Sequence, residues 1–461
     1  MADLVVDTQG SRYALGPLLG SGGQGTVYAV EGRALAVKLM HTANLADDLR
    51  CKENISRVRL LELAGLKIAR PKCALREPHV GYVMDLMTGM VPLRTMLRPP
   101  RHSLKDADAW YQDTGGLLRR LRLLSKLASL LAELHARGMV FGDASPNNVF
   151  VSEDSAHEEV WLIDADNITQ GAGRSGLYTP GYGAPELVRR ESQSDSLTDA
   201  WSLATMVFES LACLHPFRDG VYVNEGEPEL EHEADCGRVP WVDDEADNTN
   251  RSRSGIQRVA VLTLGLNALA HQCFSGSRLE RQARPGVSRW ASELRSATDQ
   301  VVVCPQCGRG YVAKCRACPW CEAARPALAV AIMHLRDTSL TDANRNPRSF
   351  VCKEKGKLMV LGHLVIQEGR SSRLTSQHLG VDDSDDVQVT VSLSNGKLVL
   401  EGDHASVLQL IDSTGQPSGG LAGSRVEMGF VDGQADRLVI PSNTRGVHRV
   451  VRFQHRKEIA K

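Results

Sequence analysis

The sequence predicts an α+β chain that ends in a small cysteine-based element and an all-β domain. Three observations carry this reading. The first hundred residues read as short strands around one polar helix, apolar residues recur at helical spacing from Thr114, and short alternating runs return beyond five crowded cysteines. At 461 residues the chain is too long for one compact core and suggests two or three domains.

The N-terminal strands are expected at Tyr13–Leu19, Gly20–Gly25, Thr26–Val30 and Ala34–Leu39, followed by a polar helix over Leu45–Leu63 and strands at Lys72–Arg76 and Val80–Met87. Leu117, Leu121, Leu124, Ala128, Leu131 and His135 mark a long buried helix, which Gly138 stops. Further helices fit Leu197–Leu214, Ile256–Cys273 and Val287–Ala297, while acidic Glu225–Asp247 reads as a solvated insertion. Beyond the cysteines, strands are expected at Leu358–Ile366, Val387–Leu393, Leu398–Leu400, Val407–Ile411, Val426–Phe430, Leu438–Ile440 and Val447–Phe453. Ser394-Asn395-Gly396-Lys397 marks a hairpin, and the whole series reads as a sandwich or barrel.

A formal net charge of -1 gives no whole-protein basic field to attract nucleic acid or membrane. The Met1-Ala2-Asp3-Leu4 start has no signal-peptide pattern, and the apolar runs near Val259–Ala270 and Ala327–Leu335 are too short to span a bilayer. Eleven cysteines, five of them between Cys304 and Cys321, fit a reducing cytoplasm with one metal site.

The stretch Val140–Val151 sets Asp143 and Asn148 five apart in a loop that feeds an apolar run. Upstream, Gly20-Ser21-Gly22-Gly23-Gln24-Gly25 carries G-x-G-x-x-G, whose glycines let backbone amides approach phosphates. Thr26-Val27-Tyr28 continues it as a strand, so a helix-opening dinucleotide turn does not fit. Lys38, thirteen residues after Gly25, can point back beneath that turn. Downstream lie Asp164 in Asp164-Ala165-Asp166 and Tyr178-Thr179-Pro180-Gly181-Tyr182-Gly183-Ala184-Pro185-Glu186.

In this order, from Tyr13 to Leu294, the elements resemble the protein-kinase signature set, and in particular the atypical bacterial branch of eukaryotic-like (Hanks-type) serine/threonine kinases. The resemblance implies a two-lobed protein-kinase fold with ATP and magnesium in the cleft, residues 1–87 as N-lobe and 88–298 as C-lobe; beyond it the cysteine spacing and the alternating strands set apart a short cysteine element at 301–325 and a β-rich sandwich or barrel-like domain of unknown role at 326–461. It gives Asp143, Lys38, Asn148 and Asp164 catalytic places, with Asn148 and Asp164 as magnesium ligands. ATP would be held by Gly20, Gly22, Gly25, Val27, Ala36, Lys38, Phe150 and the backbone of Asp85 and Met87, while a helix carboxylate, Glu53 with Glu62 as runner-up, holds Lys38. Thr179 favours serine or threonine acceptors, Asp199-Ala200-Trp201-Ser202-Leu203 braces the catalytic loop, and Arg284 pairs with Glu186.

The departures are specific. Phe141 and Gly142 stand where histidine and arginine are expected, making this a non-RD chain whose activity needs no activation-segment phosphate. Ser145 replaces a lysine, and Asp164-Ala165-Asp166 replaces D-F-G. These put turnover in question more than nucleotide binding, so an ATP-binding pseudokinase scaffold is the alternative to a serine/threonine protein kinase. The A-P-E segment and the helix at Asp199 argue against a small-molecule kinase. The resemblance also suggests a place in bacterial stress or defence signalling, with a tellurite-resistance-type von Willebrand domain protein and a PP2C-type phosphatase as partners besides the protein substrate.

Cys304-Pro305-Gln306-Cys307 and Cys318-Pro319-Trp320-Cys321 form two C-x-x-C knuckles that can bind zinc, Cys315 offering an alternative to one of them. The segment resembles a zinc ribbon. With few basic residues (Arg309, Lys314, Arg316, Arg325) and no aromatic ladder, a cap or protein-docking role fits it better than nucleic acid.

Overall fold

The alternating strands of the first hundred residues form one antiparallel sheet of six, in the order β1-β2-β3-β4-β6-β5. These are β1 Leu4–Val6, β2 Arg12–Ser21, β3 Gly25–Val30, β4 Leu35–Met40, β5 Cys73–Ala74 and β6 Gly81–Asp85. In this computed structural model the described residues are 3–100, 107–171, 177–223, 227–276, 278–337, 358–379, 388–403, 409–411, 417–420, 425–430, 437–441 and 447–456. Val387, Val407, Leu408, Glu225 and Gly226, which belong to expected segments, lie outside them. The chain divides into two compact units, Met1–Arg295 and Ser296–Lys461.

Where the sequence suggests two strands, β2 runs through to Ser21 and only then turns. One face of the sheet buries Val5, Tyr13, Val30, Val37, Cys73 and Val83. Helix α1, Leu45–Arg59, starts at Asn44, whose side chain accepts from Asp47 N, and buries Ile55 and Val58 on one face. It ends four residues before the expected Leu63.

After β7, Met90–Pro92, the first unit becomes helical: α2 Ala107–Asp113 and α3 Gly116–Ala136. Leu117, Leu121, Leu124, Ala128 and Leu131 are all buried, in keeping with their spacing. Short strands β8 Met139–Val140, β9 Val149–Ser152, β10 Val160–Leu162 and β11 Thr169–Gln170 follow, then α4 Pro185–Val188, α5 Ser196–Ala212, α6 Pro228–Asp235, α7 Arg258–Val261, α8 Leu264–His271 and α9 Val287–Thr298. Asp195 and Thr198 close a reciprocal capping box on α5, which is buried on all sides from Thr198 onward. The single helix expected over Ile256–Cys273 is two, because Thr263 takes an extended conformation and caps α8 by accepting from Leu266 N.

The acidic segment is a correction to its reading as a solvated insertion. Its described part forms α6 and then buries Val239, Trp241 and Val242. The Trp241 ring packs against Phe208 and Phe274 at centroid distances of 5.5 and 5.4 Å, and its indole N–H donates to Ser275 Oγ.

In the second unit β12 Val301–Val303 pairs with β13 Gly310–Val312. A six-stranded sheet follows in the order β15-β14-β23-β22-β19-β20, and a four-stranded one in the order β16-β17-β18-β21. Their strands are β14 Leu328–Asp337, β15 Leu358–Gln367, β16 Ser371–Leu374, β17 Gln388–Ser394, β18 Lys397–Asp403, β19 Gln409–Ile411, β20 Pro417–Gly420, β21 Arg425–Met428, β22 Arg437–Pro441 and β23 Val447–Arg456; α10, Ser376–Leu379, follows β16. Asn395 (φ 51°) and Gly396 (φ 72°) make the two-residue turn between β17 and β18. Ala329, Ala331 and Met333, Val389, Val391 and Leu393, and Val451 and Phe453 alternate inward, so the two sheets share one core as a sandwich.

Phe453→Ala should cost about 3–5 kcal/mol through the cavity it leaves. Denaturant unfolding should show the loss in the transition of the second unit, with the midpoint of the first unchanged.

Candidate functional site

Lys38 lies on β4 between Val27 of β3 and Tyr82 of β6. Its Nζ donates to Asp164 Oδ1 and Asp166 Oδ2, both at 2.8 Å. Lys38 and Asp166 side chains are 3% and 4% exposed, that of Asp164 29%. Burial alone would lower the ammonium's pKa, but the charges of Asp166 and Asp164 outweigh it and the net shift is upward. Asp164 takes φ 61°, a left-handed conformation uncommon outside glycine, and a tight turn over Ala165–Asn167 folds Asp166 back to the same ammonium.

This corrects the expected helix carboxylate. Glu53 and Glu62 are exposed, and neither pairs with Lys38 among the described residues. Helix α1 reaches the site through Asn54, whose Nδ2 donates to the Asp166 carbonyl at 2.5 Å. Sequence reasoning missed Asp166. The available signal was a second acid two residues after Asp164, where the family pattern has glycine.

Asp199, at the start of α5, accepts from the backbone N–H of Phe141 (2.8 Å) and Gly142 (2.9 Å) and bonds His135 Nε2 (2.9 Å). Gly142 has φ 88° and an Asn167 carbonyl 3.1 Å from where a Cβ would stand, so its backbone favours glycine. The loop so held presents Asp143. Asn148 Nδ2 donates to Asp143 O (2.9 Å) and Oδ2 (3.1 Å), which leaves the amide carbonyl oxygen as an acceptor. Thr179 Oγ1 donates to Asp143 Oδ1 at 2.9 Å. Burial pushes the Asp143 carboxyl above its ordinary value, against the hydrogen bonds from Thr179 and Asn148. Ser145 is fully buried. Arg284 grips Glu186 in a bidentate pair at 2.8 and 3.0 Å, the partnership expected from the sequence.

In the glycine turn, Gly22 N donates to Gly25 O at 2.9 Å. A Cβ on Gly25 would meet the Leu39 carbonyl oxygen at 2.4 Å, so strand packing requires that glycine, whereas Gly20 and Gly22 face open space. Val27 and Ala36 lie on the paired strands β3 and β4, Ala36 buried. Phe150 is half-buried on β9, in register with Pro92 and Trp161. Met87 is half-buried, and Asp85 is exposed and paired with Lys72 at 2.6 Å.

In the second unit Cys304, Cys307, Cys318 and Cys321 bring their sulfurs within 4.8 Å of one another. The Cys304–Cys321 and Cys307–Cys318 separations are 3.6 and 3.7 Å, against about 3.8 Å for the edge of a tetrahedron with Zn–S bonds of about 2.3 Å. Both knuckles turn alike: Gly308 N donates to Cys304 O and Glu322 N to Cys318 O, each at 2.9 Å, with Gly308 and Glu322 at positive φ. Cys315 is outside the four. The donor set fits zinc.

Residues 13–272, more than half of the chain, match the protein kinase domain. The chain belongs to the protein kinase family. Protein kinase YegI of Escherichia coli K12 is 27% identical over 338 residues, 69% of this chain and 50% of that protein. Serine/threonine-protein kinase PkaB of Streptomyces coelicolor is 31% identical over 232 residues, 46% of this chain and 51% of that protein. CBL-interacting protein kinase 4 of rice is 28% identical over 223 residues, 45% and 46% of the two chains. The chain thus spans about half the length of the curated relatives it matches. No helix among the described residues is long and apolar enough to cross a membrane.

Because the folded-state pKa of Asp143 is raised, its contribution to stability is full below the unfolded value of 3.8 and is lost as pH rises through the folded one. Asp143→Asn should therefore leave the melting temperature at neutral pH equal or higher. A clear fall would contradict the burial assigned to the carboxylate.

Proposed function

We propose that this chain is a non-RD, Hanks-type serine/threonine protein kinase that transfers the γ-phosphate of ATP to protein hydroxyls. The hydrogen bond from Thr179 to Asp143 carries the reading, because it shows this carboxylate engaging a hydroxyl donor at 2.9 Å within the segment that resembles a substrate platform. Asp143 then accepts or orients the acceptor hydroxyl. Asn148 and Asp164 supply the amide and carboxylate oxygens suited to magnesium, which neutralises phosphate charge when bound. Lys38 holds phosphate oxygens beneath the glycine turn, and Val27, Ala36, Phe150 and the backbone of Asp85 and Met87 hold the adenine.

Residues 1–87 and 88–298 serve as the two lobes, 301–325 as a zinc ribbon on Cys304, Cys307, Cys318 and Cys321, and 326–461 as a β-rich domain, which binds partners in the pseudokinase reading. A cytoplasmic stress or defence pathway, with a PP2C-type phosphatase and a tellurite-resistance-type von Willebrand domain protein, completes the proposal. Ser145 favours a second reading, an ATP-binding pseudokinase, since a fully buried serine puts no cation on the transferring phosphate.

Incubation of the full chain with γ-labelled ATP and magnesium, alone and with a serine/threonine-rich acceptor protein, should label hydroxyls. Asp143→Ala should lower the rate by about 10²–10⁴-fold. Intact nucleotide binding with no labelling would favour the pseudokinase. Purified protein should carry one zinc per chain by elemental analysis, and Cys318→Ser should lose most of it; a full complement in the variant would remove that cysteine from the metal site.

A further inference from the structure

We infer that Asp166 is the residue that holds Lys38 in position, the role expected of a carboxylate on α1, so that the lysine's anchor and the metal-binding aspartate ride on one short turn. The inference deepens the kinase reading and rests on it for its functional meaning.

Lys38 has two carboxylate partners at equal distance, yet their surroundings differ. Asp166 is 4% exposed, close to the buried ring of Tyr82, and its backbone is tied to α1 by Asn54. Asp164 is 29% exposed, at the open end of the pair. A buried carboxylate that released its lysine partner would be left charged in a low dielectric, whereas a partly solvated one can exchange a lysine for a divalent ion at little loss. The geometry therefore divides the labour: Asp166 stays with Lys38 while Asp164 is free to turn to magnesium.

The lysine's remaining donors then face the phosphates. An ammonium carries three, and one suffices for Asp166. Because Asp166 is two residues from Asp164, the spacing between cation and metal ligand is set inside the turn Ala165–Asn167 rather than by the position of α1. Helix α1 contributes an amide contact to the backbone of that turn and, among the described residues, no charged partner of Lys38. The titratable groups facing Lys38 are Asp164, Asp166 and Tyr82 of β6, and Cys51 of α1 lies near enough to Asp166 for burial and that charge to push its thiol up.

The decisive measurement is a double-mutant cycle on the full chain, read as the unfolding equilibrium in denaturant. It does not require turnover, so it stays informative if the protein transfers no phosphate. Lys38→Met and Asp166→Asn together should shift that equilibrium at least tenfold less than the product of the two single shifts, whereas Lys38→Met combined with Glu53→Gln or Glu62→Gln should give the product within twofold. In phosphotransfer, Asp166→Asn should lower kcat at least tenfold with KM for MgATP changed less than threefold, and Asp166→Glu should restore part of the loss. Independent effects of Lys38→Met and Asp166→Asn, or coupling to Glu53→Gln instead, overturn the inference. Loss of all phosphotransfer in the unaltered chain, with the coupling as expected, overturns the kinase reading alone.

Discussion

A single buried ammonium joins the strand layer of the first unit to the loops that carry its carboxylates. Lys38 reaches from β4 to Asp164 and Asp166, and no carboxylate of α1 shares the contact among the described residues. Breaking one partner of such a buried pair costs about 3–5 kcal/mol, because the other charge is left uncompensated. Strand β4 is correspondingly central in its sheet, with β3 on one side and β6 on the other. The position of the ammonium thus inherits the rigidity of the ladder.

The loop that carries Asp143 depends on a different device. Asp199 holds it by backbone N–H groups of Phe141 and Gly142, donors that any non-proline residue supplies. Side chains at these two positions are thereby released from the work of shaping the loop. Phe141 is used as a buried apolar plug, and Gly142 meets a positive φ that would strain an arginine. The departures from the family pattern are therefore compatible with a loop that still presents Asp143 and Asn148 together.

In the second unit the two sheets of the sandwich supply their own apolar core, but the segment from Val301 to Arg325 is too short to do so. Its Val302 and Tyr311, with Leu328 of β14, pack around the cysteines themselves. Four converging thiols form a donor set through which a bound metal ion would cross-link such a segment in place of hydrophobic mass.

Much was legible in the sequence because it depends on local pattern. Helical period placed α3, period-two alternation placed seven of the ten described sandwich strands but not β14, β16 or β20, Asn395-Gly396 fixed a hairpin, and C-x-x-C spacing fixed the sulfur cluster. The kinase family itself followed from the order of its motifs. Local pattern failed where partners are remote. The burial of Trp241 against Phe208 and Phe274 overrode an acidic composition, and Thr263 broke a periodic run into two helices. The glutamates of α1 looked like the natural partners of Lys38, yet they face solvent while Asp166 lies against it. Chain order determined which acids were candidates. Only the folded turn at Asp164, with its positive φ and the burial of Asp166, decided which carboxylates stand 2.8 Å from the lysine, since a charge pair forms by proximity in space and sequence separation does not encode it.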